Sequence, residues 1–320
     1  MSAVSDTLAT SAAVSDASFG HRLAPPGDPL EGASFDALYA TSIEPELVKR
    51  EAERRGAVQL FVAAAAVAAV AAAAEIILRL GSPPLLLPTV VIILYFGYLP
   101  LAAVGSRAKV GVIEALCGPL NISYQPKGTD APSFATFQAF NLLPHCSDKA
   151  FSDFFSGRRG ETQFDTCHAS LHQGSGKNRH LVFAGQLFCL ARPRRLASQT
   201  VVLRNSGWMN RFECPHGLKA VGLEDPVFNK AFAVFGSDQV EAREILTPDF
   251  MQQLDELERV YAGGHIRCAF DETQLLIALE GPDRFQIGGM FSSLVQRARV
   301  EAIARNLEQV FKLIDEFKDA

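Results

Sequence analysis

Residues 58–80 read VQLFVAAAAVAAVAAAAEIILRL, residues 85–104 read LLLPTVVIILYFGYLPLAAV, and only Gly81-Ser82-Pro83-Pro84 separates them. Each run is about 20 residues long, which is what a helix rising 1.5 Å per residue needs to cross a ~30 Å hydrocarbon core. So short a link forces the two helices to run antiparallel, with both chain ends on the same side. The alternative, a helical hairpin buried in a soluble core, fits poorly with a second run that carries no charge. The spans define the boundaries: a polar tail over 1–33, a juxtamembrane helix over 34–56, a transmembrane hairpin over 57–105 and an α+β domain over 106–320.

Charge sets the expected orientation. Lys49, Arg50, Arg54 and Arg55 precede the first run, and Arg107 and Lys109 follow the second. The link itself has no basic residue, although Arg79 lies just before it. Positive flanks stay in the cytoplasm, so both termini and the domain are expected there. The chain begins MSAVSDTLATSAAVSD, with no basic start and no apolar core of a cleaved signal. Ala64, Ala68 and Ala72 recur at four-residue spacing and predict the face on which the second helix packs closely. Glu75 and Arg79 are placed as an i, i+4 pair, in the favourable order, rather than as a transport site.

Flanking segments follow from composition. Residues 1–33 are rich in Ser, Ala, Asp, Gly and Pro and read as a disordered tail. Residues 35–55 read as a helix whose stripe of Leu38, Ile43 and Leu47 would pack on the domain as a stalk or strut. Its basic cluster is interleaved with Glu51 and Glu53, so attraction to anionic headgroups is expected to be weak. The net charge of −5 argues against nucleic-acid binding through a basic field. Six cysteines in 320 residues do not make a disulfide scaffold.

Beyond residue 106 the pattern predicts an α+β fold with a mainly antiparallel sheet and a long C-terminal helix. Val110–Leu116 continues from the membrane as a helix. Ser133–Phe140 and Ala150–Phe155 read as short helices. Thr162–His172 and Arg179–Leu190 read as strands joined by a Gly-Ser-Gly-Lys-Asn turn at 174–178, with further strands at Thr200–Arg204 and Phe232–Phe235. Asp238 and Thr247 are placed as helix caps, with Gly263-Gly264 ending the second helix. Ile266–Phe270 and Gln274–Leu279 read as a hairpin. A stripe of Leu307, Val310, Phe311, Ile314 and Phe317 predicts an amphipathic helix from about Phe291 to Phe317.

Three constellations could carry chemistry. LHQGSGKNR at 171–179 has the Gly-Lys of a phosphate-binding loop. It lacks the first glycine and the metal-binding hydroxyl, and a strand follows it, so a tight hairpin turn is expected. Cys167, His168 and His172 with Cys214 and His216 have zinc-type ligands, but Cys214 and His216 are separated by one residue, shorter than a knuckle. Asp238, Glu241, Arg243 and Glu244 form a charged run that reads as a capped, solvated helix start. HExxH, GxSxG and CxxC motifs are absent. The sequence therefore assigns no catalytic residue, no cofactor and no metal site.

The stretch VFGSDQVEAREILTPDFMQQL at Val234–Leu254 resembles the signature of the bacterial domain of unknown function 3137 family. YQPKG at Tyr124–Gly128, FNLLP at Phe140–Pro144, DFFSG at Asp153–Gly157 and GSGKNRHLVFAG at Gly174–Gly185 agree with it, so the resemblance runs from about Phe35 to Ala302. It implies the same layout of stalk helix, two spans and cytoplasmic α+β domain. It brings no activity and no catalytic residues. It also implies an envelope-associated complex, with LemA-type membrane proteins as companions. The leading expectation is a membrane-anchored module that binds a protein partner or lipid headgroups. The alternatives are an enzyme of unrecognised class acting near the membrane, and an oligomer whose hairpins assemble a pathway.

Overall fold

The structure is a computed structural model, and it describes residues 32–78, 83–192, 195–205, 207, 214–260, 265–286 and 292–317. Residues 1–31 of the expected tail, the Gly81-Ser82 part of the link, the Glu75–Arg79 pair and Gly263-Gly264 lie outside what is described, and the last two residues of that tail open a helix. The chain opens with α1 (Gly32–Leu38), a π-turn (Tyr39–Ile43) and α2 (Glu44–Leu78), followed by the antiparallel partner α3 (Pro83–Cys117). Helices α2 and α3 are 35 residues each. Both are long and apolar enough to cross a membrane, and only 11% and 17% of their apolar windows are buried. Val62, Val67, Val70, Val91, Ile92 and Phe96 point outward on their free length. Ala68 is buried and Ala64 and Ala72 are half-buried, so the small face is turned inward. A Cβ placed on Gly97 of α3 would lie 3.1 Å from the Ala64 Cβ, which measures how closely the helices approach.

Past α3 come β1 (Ser123–Gly128), α4 (Phe134–Ala139), β2 (Asp148–Arg159), β3 (Thr162–Gln173), β4 (His180–Ala191), β5 (Thr200–Arg204), β6 (Lys219–Val221), α5 (Pro226–Ala231), β7 (Phe232–Gly236), α6 (Gln239–Ile245), α7 (Pro248–Val260), β8 (Ile266–Phe270), β9 (Gln274–Glu280) and α8 (Arg297–Phe317). The strands form one nine-stranded sheet in the order β1-β2-β3-β4-β9-β8-β5-β7-β6. Every ladder in it is antiparallel. The expected α+β architecture is the one observed.

Strand alternation divides the apolar residues between two faces. Leu275, Ile277 and Leu279 of β9 join a large core with α7, α8 and the bases of α2 and α3. Leu276 and Ala278 turn to a smaller core under α4 with Phe134, Phe137 and Phe151. Phe35, Tyr39, Ile43 and Leu47 are buried in the large core beside Val104, Ala108 and Val112. The two long apolar helices are thus continuous with the folded domain rather than linked to it by a tether.

Two local readings change. Ala150–Phe155, expected as a helix, is part of β2. A bulge between Ser152 and Phe155 interrupts the period of two, so Phe151 faces the small core and Phe155 the large one. The C-terminal helix starts at Arg297, later than expected. Strand β1 was not evident because it contains Pro126, which an edge strand tolerates. Helix α5 carries its own start signal: Asp225 accepts from the Val227 and Phe228 N–H groups and Pro226 follows.

Candidate functional site

Where α3 leaves its apolar stretch it carries Lys109 onto the sheet. Lys109 Nζ lies 2.7 Å from Asp153 Oδ2 and 3.6 Å from Asp283 Oδ2. Tyr124 of β1 donates its hydroxyl to Asp153 Oδ1 at 2.7 Å. Asp153 has no exposed surface. Its φ of 52° lies in the left-handed region, which Asp and Asn visit more readily than other residues with a side chain. This residue is the bulge of β2. The extra residue turns the carboxylate toward the helical face, where α3 supplies a cation. Such a backbone conformation costs on the order of 1–3 kcal/mol and persists only where its surroundings hold it.

The walls are apolar. The rings of Tyr124 and Phe155 are 5.1 Å apart, and those of Phe155 and Phe285 4.8 Å. Burial, then the bond to Asp153, pushes the Tyr124 phenol far above its usual range, so it acts as a fixed donor. His168 of β3 is buried and its pKa is lowered, chiefly by that burial, although Asp283 and Asp153 oppose the shift. Asp283 accepts the Phe285 N–H at 3.0 Å through its other oxygen. The result is a packed polar cluster, with one cation shared by two carboxylates and a neutral imidazole beside them.

Helix α2 has a matching clamp. Glu51 is buried, accepts two bonds from Arg54 at 2.7 and 2.8 Å, and accepts the Leu294 N–H at 3.0 Å. Bonding to Arg54 holds its carboxyl at about 2, well below the usual carboxylate range. Each apolar helix is therefore fastened to the domain through one buried carboxylate, Asp153 for α3 and Glu51 for α2.

The residues weighed as metal ligands are dispersed. Cys167 is buried in the small core, and His168 belongs to the opposite face. Cys214 Sγ approaches the Leu218 carbonyl at 3.4 Å, and His216 is exposed. Among the described residues no three His, Cys, Asp or Glu side chains are grouped to hold a metal. The Gly-Lys segment is the β3–β4 hairpin tip, as expected. A Cβ on Gly174 (φ +86°) would lie 2.4 Å from the Asn178 carbonyl oxygen. In the charged run, Asp238 caps α6, Glu241 accepts the Ala197 N–H at 3.1 Å and Arg243 donates to the Gly222 carbonyl at 3.2 Å. Each has a separate structural task.

An open groove of about 410 Å³ lies between α1 and α8, lined by Phe35, Asp36, Arg297, Glu301, Arg305 and Glu308. Arg297 pairs with both Asp36 and Glu301, so its cation is already shared between two carboxylates of the groove wall.

Sequence reasoning missed Lys109, Asp153 and Asp283 as partners. A signal existed: Asp153 is a lone acid among Phe151, Phe154 and Phe155, and Tyr124 and Asp153 open two of the short family-like motifs. The structure joins those two residues directly.

The family model described as "Protein of unknown function (DUF3137)" matches residues 181–319, from β4 through α8. The resemblance read from the sequence is met over that stretch, which includes Asp283 and lies after Lys109, Tyr124, Asp153 and His168. No curated protein matches the chain. Among solved structures, the crystal structure of the mycobacterial trehalose monomycolate transport factor A, TtfA, aligns with 10% identity and a TM-score of 0.32, covering 66% of this chain and 94% of that one.

Proposed function

We propose that the protein is a membrane-anchored interaction module. Its hairpin sits in the bacterial inner membrane, and its α+β domain is held at the cytoplasmic surface to meet a protein partner of an envelope-associated complex. The observation that carries this reading is the continuity of the helices. Two outward-facing apolar helices enter the large core without a break and are clamped there by Glu51 and Asp153. Anchoring confines the domain to a thin layer, which raises its effective concentration toward other membrane proteins. The basic residues at the domain end of both helices support the cytoplasmic orientation.

A protein partner is favoured over headgroups because four of the six flanking cations, Arg50, Arg54, Arg55 and Lys109, are engaged with carboxylates. Arg50 pairs with Glu46 and Glu53, and Arg54 with Glu51. LemA-type membrane proteins, suggested by the resemblance, are the first partners to test. Affinity purification of the tagged full-length chain from gently solubilised membranes is the experiment. A reproducible stoichiometric membrane partner is the expected result. A partnerless chain that binds anionic vesicles instead would contradict it.

A further inference from the structure

Lys109 stands between carboxylates that belong to different parts of the fold. Asp153 is in the β2 bulge, at the β1–β2 edge of the sheet, and Asp283 is in the loop after β9. The ammonium sits at 2.7 Å from one and 3.6 Å from the other. Between apolar walls this attraction is screened far less than in water. Neither carboxylate depends on Lys109 alone. Asp153 keeps the Tyr124 hydroxyl and Asp283 keeps the Phe285 N–H. Each keeps one bonded oxygen when the ammonium moves, and because the ammonium lies between the two carboxylates neither charge is left far from it. Two irregular backbone features lie at the feet of the helices: the left-handed Asp153 under α3, and the π-turn at Tyr39–Ile43 leading into α2. Both kinds of feature concentrate at functional sites.

We infer that Lys109 is a two-position latch, seated on Asp153 in this structure and on Asp283 in a second arrangement, through which a small shift of the hairpin and a change at the β1–β2 edge are coupled. The groups facing the ammonium are Asp153, Asp283, Tyr124 and His168. Coupling of this kind is reciprocal. A partner that binds at the β1–β2 edge biases the hairpin, and a change in the hairpin biases that edge. The inference rests on the hairpin being the anchor, and it adds how the anchor would communicate with the domain.

Pulsed dipolar spectroscopy tests it on the full chain in detergent. Spin labels are placed at exposed Val62 of α2 and exposed Leu181 of β4, with half-buried Cys146, Cys189 and Cys214 replaced by alanine. The parent should give one narrow distance. Asp153→Asn, which keeps the left-handed backbone accessible, should move that distance by about 2 Å, the scale of helix shifts in switching proteins. Asp283→Asn should leave it in place. A folded Asp153→Asn chain with the parent distance, or an equal shift in Asp283→Asn, overturns the latch. Where Asp153→Asn does not fold, Lys109→Gln should broaden the distribution. An unbroadened peak there, or loss of folding in both variants, shows fixed structural cement and also overturns it. Flotation of the same chains with vesicles separates the two readings. Chains that float with an unmoved distance refute the latch alone, whereas chains that do not float refute the anchor.

Discussion

Lys109 and Asp153 meet at 2.7 Å across 44 residues of sequence, the one on the helix that leaves the apolar hairpin, the other at a left-handed bulge with no exposed surface. A buried ion pair adds little over a well-packed apolar pair. Removing one partner is different, because it strands the other charge.

Asp153→Ala should therefore destabilise the protein by about 3–5 kcal/mol. It removes the nearer carboxylate of Lys109, leaves the Tyr124 hydroxyl without its acceptor and puts an ill-suited residue at φ 52°. Asp153→Asn should cost clearly less, since Asn accepts from Tyr124 and tolerates the left-handed region. Denaturant titration of the solubilised chain measures both. Equal losses would show that the backbone conformation and the Tyr124 bond are not what Asn preserves.

Glu51 gives a pH dependence with a defined sign. Its folded pKa of about 2 is below the ordinary value of 4.5. The stabilisation is full above the unfolded value and disappears as pH falls from about 4.5 toward 2. It amounts to roughly 3 kcal/mol at most by linkage. Glu51→Gln should be less stable than the parent at pH 7, and the gap should shrink below pH 4.5 and close at about pH 2. A gap that stays constant across that window would sink the assignment.

The β4–β9 ladder joins the two halves of the sheet, and Gly185 permits it. A Cβ there would lie 2.2 Å from the Leu279 carbonyl oxygen and 2.9 Å from the Glu280 Cα. These are backbone atoms and cannot turn aside. Gly185→Ala should cost about 3 kcal/mol or more, while Gly281→Ala, which meets nothing within 4 Å, should be within about 0.5 kcal/mol of the parent. Thermal melts of the two variants side by side decide this.

Within the hairpin, Gly97→Leu should separate α2 from α3, because even a Cβ meets Ala64 at 3.1 Å. Crosslinking between cysteines introduced at Ala57 and Leu101, both buried and each one turn from the Phe61–Gly97 approach, should fall in that variant. Undiminished crosslinking would mean that close packing at Ala64 is not needed for the hairpin.

What the sequence disclosed was local. Apolar run length marked the two helices, four-residue spacing of Ala64, Ala68 and Ala72 marked the packed face, and Asp238 and Thr247 marked helix starts that the structure keeps. Asp238 accepts from the Val240 and Glu241 N–H groups, and Thr247 Oγ1 from the Phe250 N–H. The candidate site was not local. It draws on α3, β1, β2, β3 and the loop after β9, and no spacing rule relates residues so far apart. The same bulge that builds it hid β2, because an extra residue reverses which side chains face the core. The neighbours of His168 are Asp153, Asp283 and Lys109 rather than the cysteines nearby in sequence.

The most direct measurement is the depth of the hairpin in a bilayer. Fluorophores attached at Val70→Cys, Phe96→Cys or Leu181→Cys, one at a time, report from exposed positions on α2, α3 and the sheet. Half-buried Cys146, Cys189 and Cys214 are replaced by alanine. Cys117 and Cys167 stay inert, since burial pushes their thiols up to about 12. In reconstituted vesicles, nitroxide carried on lipid tails should quench positions 70 and 96, and aqueous iodide should quench only 181. Iodide reaching 70 and 96 as readily as 181, with no quenching from the lipid tails, would contradict the membrane anchor and the function built on it.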